Sequence, residues 1–337
     1  MTTIVTTSPG FGKHGRVPCR LAEKGWQLIR CADPKLPPDE LAGQVERADF
    51  LVVGLVPVTS ETLRNAPRLK GVLKHGVGLD NIDIAACTAR GLPVTNTPGA
   101  NADAVAELAL GLMFALARNI PAGHASVRSG GWDRQVGTQL GGKTLGIVGL
   151  GNIGRRLATL TRALGMQVLA ADPYPDTAFA IAHGIEIVGL DDLLGRSDYV
   201  SLHVVGGTQN AGLIDAERIG KMKTGACLLN LARGEVIDLD AVANALEHNR
   251  LSGVAIDAFA TEPPDTRHRI FSHPRAVFTP HSGADTREAV ENMGLMVIED
   301  IACLLRYELP RRCVNRVDLA GEVDRGKTVT LRSENQP

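Results

Sequence analysis

Between Lys143 and Pro175 the chain reads KTLGIVGLGNIGRRLATLTRALGMQVLAADPYP. An apolar strand runs into Gly149, Gly151 and Gly154 in G-x-G-x-x-G spacing, an arginine-bearing amphipathic helix follows, and a second strand ends at Asp172. Each glycine has its own physical job. Gly149 makes a tight turn, Gly151 lets backbone approach a pyrophosphate, and Gly154 lets the helix lie close on the sheet. The helix start at Asn152 and Ile153 offers unpaired N–H groups to phosphate oxygens. An acid at the end of the second strand, 18 positions after the third glycine, separates a dinucleotide site from an ordinary glycine turn. Asp172 suits both hydroxyls of an adenosine ribose and repels a 2′-phosphate, and Pro173 and Tyr174 bring no arginine to counter it. The expected cofactor is NAD.

The same texture extends along most of the chain. Short apolar runs such as TIVTT, DFLVVG, GVLKHG, YVSLHVV, CLLNLA, SGVAID and AVFTP alternate with helix-length segments. Unalternated runs of this kind mark strands buried on both faces of a parallel sheet, so the fold class is α/β. At 337 residues two domains are expected. After Pro98 a dense apolar segment around LALGLMFALA predicts a long interdomain helix started by Gly99 or Asn101, with Gly111 allowing close packing. A second long helix, with Val290, Met293, Val297, Ile301 and Leu304 at helical period, carries the chain back toward the first domain before Pro310 stops it. The stretch 319–337 loses the pattern and reads as a mobile tail.

Composition narrows the partners. Lysine and arginine total 36 against 37 acidic residues, a formal charge of -1, which gives no footprint for nucleic acid or an anionic membrane. The run Leu108–Ala117 falls short of a membrane span. The N-terminus lacks the order of a secretory signal. Six scattered cysteines without a C-x-x-C pair fit reduced thiols in a cytoplasm better than disulfides or zinc, and no metal site is expected.

Three polar residues follow later apolar runs: Arg233 in NLARGEVID, Glu262 in AIDAFATEPP and His281 in FTPHSG. Ligands of open α/β sheets lie beyond the carboxyl ends of strands, so three strand ends can aim these side chains into one crevice. They suit hydride transfer to the carbonyl of a 2-oxo acid. Arg233 can grip the substrate carboxylate with its planar fork, His281 can donate the proton the new alkoxide needs, and Glu262 can orient the imidazole. Singly, each has an ordinary explanation as an ion-pair, loop or structural residue; behind a dinucleotide motif they form a set.

With these motifs in view, together with KHGVGLDNIDIAACTARGLPVTNTPGANADAVAELALGLM, the chain resembles the D-isomer-specific 2-hydroxyacid dehydrogenase family from about Asp49 to Asn315. That group includes D-3-phosphoglycerate dehydrogenases and glyoxylate or hydroxypyruvate reductases. The resemblance implies two Rossmann-like domains with parallel sheets, the cofactor domain (99–286) inserted into a discontinuous substrate domain (1–98 and 287–318), with the site in the cleft and a homodimer built largely through the cofactor domain. It implies a catalytic set of Arg233, Glu262 and His281. It also implies cofactor contacts at Gly149, Gly151, Asn152, Ile153, Gly154, Asp172, Val204, Thr208, Leu231, Ala232, Arg233, Asp257, His281 and Gly283, with Asp257 near the nicotinamide carboxamide. For a small 2-oxo or 2-hydroxy acid it implies backbone at Val77 and Gly78, with Arg233 and His281; Lys74 is a candidate charged contact.

Some positions depart from the family's pattern. Val56, Pro57 and Val58 stand where phosphoglycerate enzymes often carry arginines, which argues against that substrate. The segment VGGTQN replaces a proline-containing turn, so a more mobile loop is expected over 205–210. Ala260 leaves Glu262 without the acid often seen two positions earlier. The short tail leaves no room for a regulatory domain, so serine feedback by that route is not expected. Two competing readings share the fold: a phosphite-type dehydrogenase, and a non-catalytic NAD sensor of the corepressor kind. A formate enzyme is disfavoured because glutamine stands there in place of Glu262.

Overall fold

A computed structural model describes residues 1–31 and 38–317, so the expected tail at 319–337 lies outside the described residues. The chain divides into two compact units. One comprises Met1–Pro98 and the chain from Val290 onward, the other Gly99–Ala289.

Among the described residues the first unit holds five strands, β1 (Thr3–Thr6), β2 (Gln27–Arg30), β3 (Phe50–Val53), β4 (Gly71–Lys74) and β5 (Val94–Thr95), in the parallel order β2-β1-β3-β4-β5. Its continuous apolar runs are divided between two cores by the two-residue period of a strand. Ile4, Phe50, Val52 and Leu73 face Val297, Ile298, Ile301 and Leu304 of the helix Arg287–Leu304, while Val5, Leu51, Val53 and Val72 pack with Leu63, Cys87 and Leu92 on the opposite side. Burying both faces is what a parallel sheet requires.

The second unit holds β6 (Thr144–Val148), β7 (Gln167–Ala171), β8 (Glu186–Ile187), β9 (Tyr199–Leu202), β10 (Ala226–Asn230), β11 (Leu251–Ile256) and β12 (Ala276–Phe278), in the parallel order β12-β11-β10-β9-β6-β7-β8. The chain winds outward one way from β6 through β7 to β8, then crosses over to β9 and winds outward the other way. This is the doubly wound arrangement, with its reversal point between β6 and β9. Leu145, Ile147, Leu229 and Ala255 feed one core; Val148, Leu228, Val254 and Ile256 feed the other.

The helix Ala102–Ala117 is too apolar for a surface helix because Ala106, Ala109 and Met113 are fully buried within the second unit, packed with Leu157, Ala158 and Leu229. Its N-cap is Asn101, with no side-chain capping bond. The expected close packing at Gly111 is not found: that position is exposed, and a Cβ there would meet nothing within 4 Å. A helix Ile120–Arg128 follows at a bend of 64°, and among the described residues no single helix is long and apolar enough to cross a membrane.

Candidate active site

The reversal point sets the crevice. At the end of β6, Gly149 has φ +97°, and a Cβ there would lie 2.7 Å from the His203 carbonyl oxygen just beyond β9. A Cβ on Gly154 would overlap the Gly149 carbonyl oxygen, so only glycine lets the helix Asn152–Ala163 seat against the turn. Gly151 differs from both. Nothing lies within 4 Å of its missing side chain, no side chain caps the helix it begins, and the first amides at Asn152 and Ile153 are therefore left for an anion. Asp172, beyond β7, is fixed by backbone: Leu150 N–H donates to one carboxylate oxygen at 2.7 Å and Tyr174 N–H to the other at 2.8 Å. Arg155, which sequence reasoning passed over, lies nearby, with its Nε on the Leu150 carbonyl and its guanidinium paired to Asp176 at 3.0 Å. These residues fit a dinucleotide with a free ribose 2′-hydroxyl.

Across the reversal point, Val204 N would stand 3.1 Å from a Cβ on Gly149. The loop carrying Thr208 is tied by Asn210 Nδ2 to the Val205 carbonyl at 2.9 Å and by Gly207 N–H to Glu235 at 3.2 Å. Beside it His203 is held neutral, its imidazole pushed down to about 4 by burial, with Nε2 2.9 Å from Ser201 Oγ.

Three neighbouring strands deliver the other side chains. At the end of β10, the buried Asn230 shapes the turn through Leu231 and Ala232 to Arg233: it accepts from Ala232 N–H at 3.2 Å and donates to the Arg233 carbonyl at 2.8 Å. Nothing in the spacing of NLARGEVID singled out that asparagine. Arg233 also donates to the Ala232 carbonyl at 2.8 Å. Beyond β12, His281 takes a left-handed conformation, φ +50°, rare for a residue with a Cβ. Asp257 at the end of β11 holds it there. Its carbonyl accepts His281 N–H at 2.9 Å, one carboxylate oxygen accepts Thr279 Oγ1 at 2.5 Å and Ser282 N–H at 2.9 Å, and the other accepts Gly283 N–H at 3.0 Å. Asp257 thus builds the histidine's loop, a task that sequence spacing did not disclose.

The result is an imidazole clasped by a carboxylate. His281 Nδ1 lies 2.8 and 2.9 Å from the two oxygens of Glu262, and both side chains are about a quarter exposed, 28% each. Burial pushes the Glu262 carboxyl up, but hydrogen bonds from His281 and Phe259 N–H, with the charges of His281 and Arg233, outweigh it and leave the group below its ordinary value. An ionised carboxylate only accepts, so Nδ1 carries a proton and Nε2 is the nitrogen left to exchange one. Phe259 N–H donates to Glu262 Oε1 at 3.0 Å, and Ala260 brings no second acid to the pair.

In the first unit, Val77 and Gly78 form a partly exposed loop just past β4. Lys74 is buried, and its ammonium donates to the Gly54 carbonyl at 2.7 Å and to Asn81 Oδ1 at 2.6 Å, so its charge is engaged in holding the loops after β3 and β4. Among the described residues no group of three or more His, Cys, Asp or Glu is placed to hold a metal ion.

A doubly wound sheet with a glycine turn at its reversal point, and a carboxylate-held histidine on the same unit, defines a dinucleotide-binding domain. The chain belongs to the D-isomer specific 2-hydroxyacid dehydrogenase family, whose NAD-binding domain matches residues 110–283. NAD is the cofactor of that domain. The chain is 43% identical over 280 residues to D-3-phosphoglycerate dehydrogenase of Mycobacterium tuberculosis, covering 82% of this chain and 53% of the relative. It is 39% identical over 288 residues to that of Methanocaldococcus jannaschii, covering 84% and 55%. The chain therefore spans about half the length of these curated relatives. D-lactate dehydrogenase of Aquifex aeolicus, solved with NAD and lactic acid, superposes with a TM-score of 0.79 at 28% identity, over 91% of this chain and 96% of that one.

Proposed function

We propose that the protein is an NAD-dependent dehydrogenase that interconverts a small 2-hydroxy acid and its 2-oxo acid, with His281 as acid and base. The observation that carries this reading is the His281–Glu262 contact at 2.8 Å, built on the unit that holds the glycine turn. Bound NAD supplies or takes up the hydride; the rest falls to the chain. Gly149, Gly151 and the first turn at Asn152 and Ile153 hold the pyrophosphate, and Asp172 holds the ribose. Arg233 grips the substrate carboxylate in a two-pronged contact and polarises the adjoining carbonyl. In reduction, protonated His281 gives its Nε2 proton to the forming alkoxide while Nδ1–H stays on Glu262. In oxidation the neutral Nε2 takes the proton back.

Substrate size follows from the loop after β3. The relatives' names point to 3-phosphoglycerate, whereas Val56 and Val58 here are buried apolar residues that offer a phosphate no cation. Glyoxylate and hydroxypyruvate therefore rank ahead of phosphohydroxypyruvate. A homodimer through the cofactor unit is supported by Phe114, Ile120, Val127, Trp132 and Val136, large apolar side chains exposed along one stretch of it. Six unpaired cysteines suit a reducing cytoplasm, and the near-zero charge speaks against nucleic acid or membrane as partner.

NADH oxidation against a panel of 2-oxo acids, with His281→Ala as control, tests the reading. The control should turn over about 10²- to 10⁴-fold more slowly with NADH binding retained. Equal rates would remove His281 from the chemistry. Bound NADH with no turnover of any 2-oxo acid would favour a donor such as phosphite, or the sensor.

A further inference from the structure

The loop just past β4 shows an arrangement that spacing in the sequence could not reveal. Two successive carbonyls are captured by the segment just past β5. Gly76 O accepts both Thr97 N–H and Thr97 Oγ1, each at 2.9 Å, and Val77 O accepts Asn96 Nδ2 at 2.8 Å. In a trans peptide the N–H points opposite to the carbonyl. Capturing the oxygens of Gly76 and Val77 on one side therefore turns the N–H groups of Val77 and Gly78 to the other. Neither amide donates to a group among the described residues, and both residues are partly exposed. Two consecutive amides aimed the same way form a concavity for an anion.

The residue before them is also immobilised. Nε2 of His75 lies 3.2 Å from the Val290 carbonyl and Nδ1 lies 2.9 Å from Ser8 Oγ, while Gly76 takes φ +155°, a backbone angle that favours glycine. Thr97 is fully buried, so no water competes for the bond from its hydroxyl.

We propose that Asn96 and Thr97 are positioning residues for the substrate carboxylate: by holding the Gly76 and Val77 carbonyls they pre-set the Val77 and Gly78 amides as its donors. This rests on the 2-oxo acid reading. It adds that affinity for the carboxylate is governed by two side chains that never touch it, because amides fixed beforehand lose no freedom on binding.

The experiment compares Asn96→Asp, which keeps shape but replaces the donor with an acceptor, Thr97→Val, which removes the hydroxyl, and Thr97→Ser, which restores it. Oxalate, a carboxylate that cannot be reduced here, is titrated into the NADH complex and followed by NADH fluorescence; KM and kcat are measured with glyoxylate. We expect Asn96→Asp and Thr97→Val to weaken oxalate and raise KM about tenfold, with kcat and NADH affinity changing far less, and Thr97→Ser to recover most of the loss. A merely structural role would lower thermal stability without this split. Unchanged oxalate affinity in folded Thr97→Val or Asn96→Asp protein overturns the inference. If wild type reduces no 2-oxo acid yet the neutral Thr97→Val still weakens oxalate and Thr97→Ser restores it, the catalytic reading fails while the anion-positioning role stands.

Discussion

Acid should loosen the first unit through one side chain. His75 is almost wholly buried against Phe11, and burial, helped by the charge of Lys74 and opposed by its bond to the Val290 carbonyl, pushes its imidazole from 6.5 down to about 4. The unfolded chain takes up that proton at 6.5, the folded chain only near 4, so stability is complete above 6.5 and is lost as pH falls between the two values. Integrating the extra proton bound by the unfolded state gives a loss of about 2 kcal/mol by pH 5, on the way to about 3 kcal/mol at full protonation. Trp26, packed against the core that contains Phe11, reports on this unit, whereas Trp132 in the other is 80% exposed and changes little on unfolding. Urea unfolding followed by Trp26 fluorescence at pH 7.5 and pH 5.0, in wild type and His75→Gln, reads the effect. The variant will be weaker at both pH values, but the difference between them should shrink by about 2 kcal/mol. An identical pH difference in the two proteins would refute the argument, whatever the absolute stabilities.

Two further substitutions test the cofactor crevice. Asp172→Ala removes the acceptor held by Leu150 and Tyr174 N–H, and should narrow the preference for NADH over NADPH about tenfold or more; an unaltered ratio would place the ribose elsewhere. Gly154→Ala drives a Cβ into the Gly149 carbonyl and to 3.0 Å from Ile147 Cγ2, so thermal melting and NADH titration should show a loss of about 1–3 kcal/mol in stability together with weaker cofactor binding. Wild-type behaviour in both would mean that the turn tolerates a methyl group it has no room for.

What was legible in the sequence followed burial. Runs such as DFLVVG and CLLNLA belong to strands covered on both faces, and their unbroken apolar character announced them. The strands that escaped notice lack that mark: β2 is half-exposed at the sheet edge, while β5 and β8 are only two residues long. Gly111 misled because density of apolar residues predicts burial of a helix but not which of its faces meets a neighbour. In the site, the pairing of Glu262 with His281 was readable, and the glycines were readable as turn geometry. Asn230, Asn96 and Thr97 were not, and Asp257 was expected only as a cofactor contact and not as the anchor of the histidine's loop, since these residues act by taking up backbone groups, and pairings of that sort exist only once the chain has folded.

The strand order β12-β11-β10 has a practical consequence for anyone altering this protein. Arg233, Glu262 and His281 each emerge past the end of one of three adjoining strands, so the lateral pitch of the sheet, roughly 4.8 Å per strand, serves as a gauge that spaces them. Chain can be added or removed in the return paths behind the sheet, such as the helix Leu239–Glu247, without resetting that gauge. A single residue inserted within β11 could not be absorbed so easily. It would turn the strand's remaining side chains to the opposite face and shift the start of the loop that carries Glu262, leaving a sheet whose teeth no longer mesh.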